Sequence, residues 1–201
     1  MNLIFFRHGE ATDNVNGIIS DKEIYWSTLT EGGIKSVKET VEALKEKIDK
    51  MYVSPFPRTI ETANLIYQKY SNIEVVVDNR IREIFYGKYS GGKNNEDLDN
   101  TRLKQINGDY FVRFGDFGEN KFEIEMRLSL FLNEIFDKNS KNSVVLIVSH
   151  GSVISYMKRL LGVKSSHIKT GKAEIFKNVD ATILKENLKE LQTIQKMHKI
   201  S

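Results

Sequence analysis

The segment Leu3-Ile4-Phe5-Phe6-Arg7-His8-Gly9-Glu10 is the part of the chain from which the fold can be read. Its four apolar residues are too few for a helix, and they lead directly into an arginine, a histidine and a glycine. This pattern predicts a short buried strand that presents Arg7 and His8 at the carboxyl edge of a sheet. Ligands of open α/β sheets bind at that edge, and Gly9 lets the backbone turn sharply beside a bound group.

Three later motifs follow predicted strands in the same way. The apolar run from Val144 to Val148 ends in Ser149-His150-Gly151, and a short strand at Met51-Tyr52-Val53 precedes Arg58-Thr59-Ile60-Glu61-Thr62-Ala63. A third, β-branched strand at 73–77 precedes Glu83, which stands four residues before Gly87. The pattern therefore predicts that two histidines, two arginines and a carboxylate meet at one edge of the sheet.

The ordered set Arg-His-Gly, Arg-Thr-x-x-Thr-Ala, Glu-x-x-x-Gly and Ser-His-Gly resembles the histidine phosphatase superfamily, in its phosphoglycerate-mutase-like branch. The resemblance covers residues 2 to about 162. Gly118-Glu119-Asn120 and Arg127 stand where the superfamily often has Gly-Glu-Ser and an arginine seven residues after the serine. Asparagine in place of serine keeps the ability to cap a helix.

Strands that alternate with helical patterns predict an α/β fold, a three-layer αβα sandwich around a mostly parallel central sheet. The resemblance implies that this sandwich is phosphoglycerate-mutase-like. We expect one domain over residues 1–201, with an irregular insert at about 87–119 and a loop from Ala11 to Ser27. The apolar periodicity predicts further elements: helices from Glu31 to about Lys50, Arg58 to about Tyr70, Asp97 to Ile106, Asn120 onward, Ser152 to Leu161 and Lys185 onward, and an edge strand at Ala173–Phe176.

The side chains of these motifs suit phosphoryl transfer. A neutral ring nitrogen of His8 can attack phosphorus if the other nitrogen donates to a carbonyl, and Arg7 and Arg58 can bind phosphate oxygens in a forked geometry. His150 can add a donor, and Glu83 can act as general acid and base. The resemblance adds Asn14, six residues after His8, as a phosphate ligand. We also expect Gly151 to lie against the substrate.

Other carboxylates and rim residues compete with these assignments. Glu10, Asp13 and Asp21 lie in nearby predicted loops and rival Glu83. His167 and His198 are predicted to be structural. Rim candidates, each more readily explained as solvated loop, are Tyr86, Lys88, Tyr89, Lys93, Arg113 and Phe114.

The resemblance and the residues together predict a metal-independent phosphatase that acts on a phosphorylated small molecule without a cofactor. There is no His-x-His, His-Glu-x-x-His, P-loop or dinucleotide motif in the sequence. A phosphoglycerate-mutase-type isomerase is the first alternative. Mutases of the family carry Glu-Arg-His-Tyr-Gly where this chain has Glu83-Ile84-Phe85-Tyr86-Gly87, which disfavours it. A catalytically weak protein that binds phosphorylated ligands is the second alternative.

Composition excludes several other classes of protein. The chain has 201 residues, 40% hydrophobic and 28% charged, which is ordinary for a globular protein. Its net charge of +3 is spread along the chain and does not favour nucleic-acid binding. The absence of cysteine excludes disulfides and thiolate sites. Because Arg7 interrupts the first apolar run and no apolar run could span a membrane, we expect a cytoplasmic protein.

Overall fold

The described part of the protein is built around one mixed sheet. The structure is a computed structural model that describes residues 1–22, 27–163 and 167–200. Within these ranges the strands are β1 (Asn2–Arg7), β2 (Lys50–Val53), β3 (Glu74–Val77), β4 (Val144–Ser149) and β5 (Ala173–Phe176). The helices are α1 (Thr12–Asn16), α2 (Glu31–Ala43), α3 (Pro57–Tyr67), α4 (Glu96–Ile106), α5 (Lys121–Lys138), α6 (Gly151–Leu160) and α7 (Thr182–Ile200), with 3₁₀ turns at Asn79–Ile81 and Gly87–Tyr89.

The sheet order is β3-β2-β4-β1-β5, and only the edge strand β5 is antiparallel. Strand β4 lies at the centre of the sheet, where helices cover both of its faces. This burial explains why it is the most apolar strand. Asn2 to Arg7 pair with Val144 to Ser149, and Val53 pairs with Val148. The carboxyl ends of β1, β2 and β4 are therefore side by side.

The alternation of side chains along the strands creates two separate cores. Leu3 and Phe5 point to one face of the sheet, where they pack with buried residues of α5 and α6. Ile4 and Phe6 point to the other face, where they pack with α2 and α3. Helices on both faces of a mostly parallel sheet confirm the predicted three-layer sandwich.

Several predicted boundaries differ from the structure, by about three residues at the end of α3 and the start of α7 and by more at the end of α2. Helix α2 ends at Ala43 and not near Lys50, since Leu44 is extended and the Lys69 ammonium donates to the carbonyls of Val41, Glu42 and Leu44. These bonds satisfy carbonyls that a longer helix would have used. The predicted loop from Ala11 to Ser27 contains the short helix α1. Residues 23–26 of that loop lie outside the described residues.

The insert at 87–119 is less irregular than its composition predicts. It contains a 3₁₀ turn at Gly87–Tyr89 and α4, which begins after the capping side chain of Asn95. Asn120 then caps α5 in a reciprocal arrangement with Glu123, as its sequence position predicts. Within the described ranges, none of the helices has the length and apolar character needed to span a membrane.

Candidate active site

The carboxyl ends of β1, β4 and β2 bring His8, His150 and Ser54 together. The backbone N–H of His8 donates to the carbonyl of Ser149, and that of Ser54 donates to the carbonyl of Val148, so the sheet pairing continues one residue beyond the strands. The rings of His8 and His150 lie with their centroids 5.3 Å apart. The structure thus brings together the two histidines that the strand-end pattern singled out.

The His8 ring is buried, and its surroundings select one neutral tautomer. Its Nδ1 lies 2.7 Å from the carbonyl oxygen of Gly9, which can only accept a hydrogen bond. Its Nε2 lies 3.2 Å from Nε of Arg58, which can only donate. Burial and the neighbouring charge of Arg58 lower the pKa of His8 well below its usual value. His8 therefore carries its proton on Nδ1 and a lone pair on Nε2.

Arg58 lies at the start of α3, directly after Pro57, and its guanidinium is almost completely buried. One terminal nitrogen donates to the carbonyl of Ser20 at 2.9 Å and to Nδ1 of His150 at 3.0 Å. The other lies 3.5 Å from a carboxylate oxygen of Asp13. A cation at a helix N-terminus is unfavourable by itself, so this arrangement suits an anion bound in front of the helix.

His150 is fully buried at the residue that precedes α6. Because Nδ1 accepts from Arg58, the ring proton is on Nε2, which donates to Oγ of Ser54 at 2.7 Å. Burial, with Arg58 as the next cause, lowers the pKa of His150 well below its usual value. Both histidines are thus neutral beside a buried arginine.

Glu83 is the carboxylate that faces both His150 and Arg58. Its Oε2 lies 3.7 Å from Nδ1 of His150 and 4.0 Å from the guanidinium of Arg58, and 15% of its side chain is exposed. Burial raises the pKa of Glu83 even though Arg58 opposes the shift. A carboxyl group with a raised pKa keeps its proton to a higher pH than an exposed carboxyl group does, which suits a general acid.

Glu119 stabilises the loop that carries Glu83 through contacts with residues on either side of Glu83 and with α5. The Glu119 carboxylate pairs with Arg82 at 2.8 Å and with Arg127 at 2.8 Å, and it accepts the backbone N–H of Phe85. Burial alone would raise the pKa of Glu119, but the two arginines lower it overall. Glu119 and Arg127 of the Gly-Glu-Asn motif therefore support the Glu83 loop.

Arg7 offers a donor at the same edge. One terminal nitrogen donates to Nε2 of His167 at 2.7 Å and to the carbonyl of Ile168 at 3.0 Å, whereas the buried Nε has no hydrogen-bond partner among the described residues. A side chain at Gly151 would place Cβ 3.0 Å from Cζ of Arg7. Gly151 therefore leaves room for the guanidinium, and the free N–H is suited to an oxyanion.

Comparison with known proteins identifies the family. The model of the histidine phosphatase superfamily (branch 1) matches residues 3–194. The chain belongs to this superfamily.

Relatives within the superfamily carry different names. The chain is 42% identical over 94 residues to a 2,3-bisphosphoglycerate-dependent phosphoglycerate mutase of Thermoplasma acidophilum, a match that spans 46% of each chain. It is 32% identical over 154 residues to phosphoserine phosphatase 1 of Hydrogenobacter thermophilus, spanning 75% of this chain and 71% of that protein. A mycobacterial glucosyl-3-phosphoglycerate phosphatase superposes with a TM-score of 0.72 at 21% identity, covering 87% of this chain and 90% of that one, and shows the shared fold.

Asn14, which the superfamily pattern suggests as a phosphate ligand, is placed differently from the other candidates. Its side chain is exposed, and Oδ1 accepts the backbone N–H of Ala11 at the start of α1. The neighbouring Asp13 is the buried residue that contacts Arg58. The contacts of Asn14 are thus those of a helix cap.

The rival carboxylates occupy other positions in this member of the superfamily. Glu10 accepts the hydroxyl of Thr30 at 2.9 Å, at the start of α2. Asp21 is buried and accepts the N–H of Tyr86 and the hydroxyl of Ser90, and burial raises its pKa. Asp13 pairs with Arg58. Among the three, only Asp13 contacts a residue of the candidate site.

Sequence reasoning assigned no role to Ser54 and predicted a structural role for His167, and both contact the candidate site. Ser54 follows β2 in the same way that His8 follows β1, and this strand-end position was the available signal. His167 precedes no motif, and its contact with Arg7 arises from the fold alone. His198 instead stacks on Phe111 at 3.8 Å. No group of three or more His, Cys, Asp or Glu residues in the described ranges could hold a metal ion.

The rim candidates divide into two groups. Tyr86 and Phe114 line a cavity beside the site. Arg113 pairs with Glu123 at 2.6 Å, and Lys88 lies over the ring of Tyr89. Lys93 forms an isolated β-bridge with Ile18. The first pair therefore remains relevant to substrate binding.

Proposed function

We propose that the protein is a metal-independent phosphatase that hydrolyses phosphomonoesters through a phosphohistidine on His8, with Glu83 as general acid and base. The observation that carries the proposal is the buried, neutral His8, whose Nε2 lone pair is directed at Arg58 while Nδ1 donates to Gly9. A neutral imidazole of fixed tautomer is the form in which histidine acts as a nucleophile.

The first half-reaction transfers the phosphoryl group to His8. Nε2 attacks phosphorus, the bond to the ester oxygen breaks, and protonated Glu83 gives its proton to the leaving oxygen. His150 can add an N–H donor with its ring proton moved to Nδ1 and the hydroxyl of Ser54 donating to Nε2. Arg7 and Arg58 bind the phosphoryl oxygens and stabilise their negative charge. For Arg58 this requires exchange of its present bonds to the two histidines for bonds to phosphate oxygens.

The second half-reaction reverses the direction of proton transfer. Ionised Glu83 takes a proton from water, the resulting oxygen attacks phosphorus, and the bond between phosphorus and Nε2 breaks. The products are inorganic phosphate and regenerated His8. A carboxyl group with a raised pKa serves both half-reactions, since one needs its acid form and the other its base form.

The test is substitution of the nucleophile combined with trapping of the intermediate. We expect His8→Ala to lower kcat by several orders of magnitude, on the order of 10⁴ or more, because the substitution removes the proposed nucleophile. Rapid denaturation of the wild type in alkaline detergent with ³²P-labelled substrate should yield an alkali-stable, acid-labile phosphoprotein that His8→Ala lacks.

Two controls complete that experiment. Activity in EDTA should equal activity without it, because Arg7 and Arg58 supply the positive charge of the site. Loss in EDTA with recovery on adding a divalent metal would favour metal-assisted hydrolysis. Substantial turnover by His8→Ala would exclude the phosphohistidine mechanism. Absence of turnover by the wild type would favour the binding-protein alternative.

A mutase is the second candidate, favoured by the 42% identity over 94 residues to a phosphoglycerate mutase. We expect hydrolysis instead, because Ile84 is apolar and buried where mutases carry an arginine that can bind a carboxylate. Incubation with 3-phosphoglycerate and catalytic 2,3-bisphosphoglycerate separates the two activities. Release of phosphate with little 2-phosphoglycerate is the expected result, and rapid isomerisation with little phosphate would establish a mutase.

A further inference from the structure

A cavity of about 240 Å³ lies beside the candidate phosphate site, and we call it the leaving-group pocket. Three of its lining residues connect it to that site. Ile84 follows Glu83 in the chain, Ser152 follows Gly151, and His167 accepts a hydrogen bond from Arg7. The alcohol part of a phosphomonoester bound at His8 would therefore extend into this pocket.

Most of the wall area of the leaving-group pocket is apolar, and a glutamine and two serines add uncharged polar groups. Tyr86 and Phe114 are buried, with ring centroids 4.8 Å apart, and Ile84 is buried beside them. Tyr156 of α6 supplies another ring, and Ile106 at the end of α4 lines the mouth. Ile106 is 66% exposed, so a bound apolar group would remove apolar surface from water there.

The charged residues of the leaving-group pocket are already paired. Arg159 lies 2.6 Å from Glu125 and 4.4 Å from the centre of the Tyr156 ring, and Arg102 lies 2.8 Å from Asp99 and 5.4 Å from the Tyr86 ring. These arginines hold the two tyrosine rings, and their charges are balanced by the carboxylates.

His167 does not add a cation to this wall. It accepts from Arg7, and burial followed by the charge of Arg7 lowers its pKa. Among the lining residues that the structure describes, every positively charged group thus has a partner. A second anion on the substrate would have to compete with an existing carboxylate.

From this lining we infer that the leaving-group pocket binds a flat, uncharged aromatic group, and that the preferred substrates are phosphomonoesters of alcohols that carry one such ring system. The inference rests on the proposed phosphatase function and specifies its substrate class. The volume is below the ~300 Å³ at which pockets for drug-sized ligands begin, so one ring system suits it better than an extended ligand. Phosphoserine and 3-phosphoglycerate, which carry further charges close to the ester, should be poor substrates.

The test compares substrates of similar leaving-group chemistry. 2-Phenylethyl phosphate and phosphoethanolamine are both primary alkyl phosphates and differ in carrying a ring or an ammonium group. We expect kcat/KM to be about 10- to 100-fold higher for the phenyl compound, the range that apolar pocket contacts produce. Phosphoserine is the second charged comparison. Equal or faster turnover of the charged compounds would overturn the inference.

Two substitutions on α4 test whether the leaving-group pocket causes the preference for the phenyl compound. Ile106→Ser should lower the phenyl-to-ethanolamine ratio several-fold, because it replaces an apolar wall of the pocket with a polar one. Leu103→Ser is the matched control, since Leu103 is 54% exposed on the same helix but does not line the pocket. An equal change of the ratio in both variants would contradict the assignment of this cavity.

A binding measurement separates this inference from the proposed function. Calorimetric titration of wild type and Ile106→Ser with 2-phenylethylphosphonate and 2-aminoethylphosphonate needs no turnover. Tighter binding of the phenyl compound, weakened in Ile106→Ser, supports the pocket even if His8→Ala retains activity and the mechanism fails. Equal binding of both phosphonates overturns the pocket even if the phosphohistidine is trapped.

Discussion

Glu83 and His8 owe their opposite pKa shifts to the same burial. Loss of water disfavours the charged form of each group, so burial raises the pKa of the carboxyl group and lowers that of the imidazole. The result is a neutral nucleophile in the same site as a carboxyl group that keeps its proton to a higher pH than an exposed one. Arg58 adds to the shift of His8 and opposes that of Glu83, which keeps Glu83 able to ionise for the second half-reaction.

Glu83→Gln should affect alkyl phosphates more than aryl phosphates. An alkoxide needs a proton to leave, whereas a phenolate of low pKa does not, so kcat/KM should fall about 10²- to 10⁴-fold for 2-phenylethyl phosphate and less than about tenfold for p-nitrophenyl phosphate. In the wild type, kcat/KM for the alkyl substrate should also decline as pH rises through the raised pKa of Glu83. That decline should be absent in the variant.

The measurement is the pH profile of both substrates for wild type, Glu83→Gln and Glu10→Gln. Glu10→Gln is the control, because Glu10 contacts Thr30 at the start of α2 and should not alter the ratio of the two substrates. Equal losses on both substrates in Glu83→Gln would remove Glu83 from the role of leaving-group acid.

At the scale of elements, helix α2 is packed directly against the turn that follows β1. A side chain at Gly33 would place its Cβ 2.1 Å from the carbonyl oxygen of Glu10 and 2.9 Å from its nitrogen. The N–H of Thr30 donates to the same carbonyl. This contact holds the turn that carries Gly9, the hydrogen-bond acceptor of His8.

Gly33→Ala should therefore lower the free energy of unfolding by about 3 kcal/mol, since backbone atoms must move to admit the methyl group. Gly32→Ala is the matched control. Its Cβ would meet nothing closer than 3.8 Å, and alanine is the better helix former by up to about 1 kcal/mol. Urea unfolding of both variants provides the test. Equal stability of the two would show that the backbone of the turn can move to admit the methyl group at little cost, and would contradict the prediction.

At the scale of the whole molecule, two neutral histidines are enclosed between the sheet and the helices around it. His8 and His150 have pKa values well below 6.5 in the folded state, whereas an unfolded chain restores about 6.5. Below that pH the unfolded chain binds more protons, so the free energy of unfolding decreases as pH falls through about 6.5. Glu83, with its raised pKa, acts in the opposite direction.

His150→Asn should consequently make the stability less dependent on pH. Between pH 6 and 5 the slope of unfolding free energy against pH should decrease by up to about 1.4 kcal/mol per pH unit, the contribution of one histidine that stays neutral in the folded state. His198→Asn, at an exposed position of α7, removes a histidine without changing the buried pair and serves as control. Urea unfolding at pH 7, 6 and 5 measures the slopes, and identical slopes in all three proteins would contradict the burial of a neutral His150.

The sequence by itself determined the layers of the fold and the edge at which the candidate site lies. Short apolar runs followed by Arg7-His8 and by His150 specify parallel strands with side chains at one edge, because parallel strands must end on the same side of the sheet. Asn120 was predicted as a cap for the same local reason, since its side chain needs only the first turn of α5. These features depend on neighbours in the chain.

Only the tertiary structure decided which groups surround those motif residues. Asp13 rather than Asn14 contacts Arg58, His167 comes to Arg7 across 160 positions of the chain, and Ser54 meets His150. The end of α2 at Ala43 likewise depends on Lys69, a residue of the region after α3. The tertiary structure also decided the pKa shifts of the buried residues and the lining of the leaving-group pocket. Burial and contacts between distant segments are set when the layers pack, and local residue patterns carry no information about such neighbours.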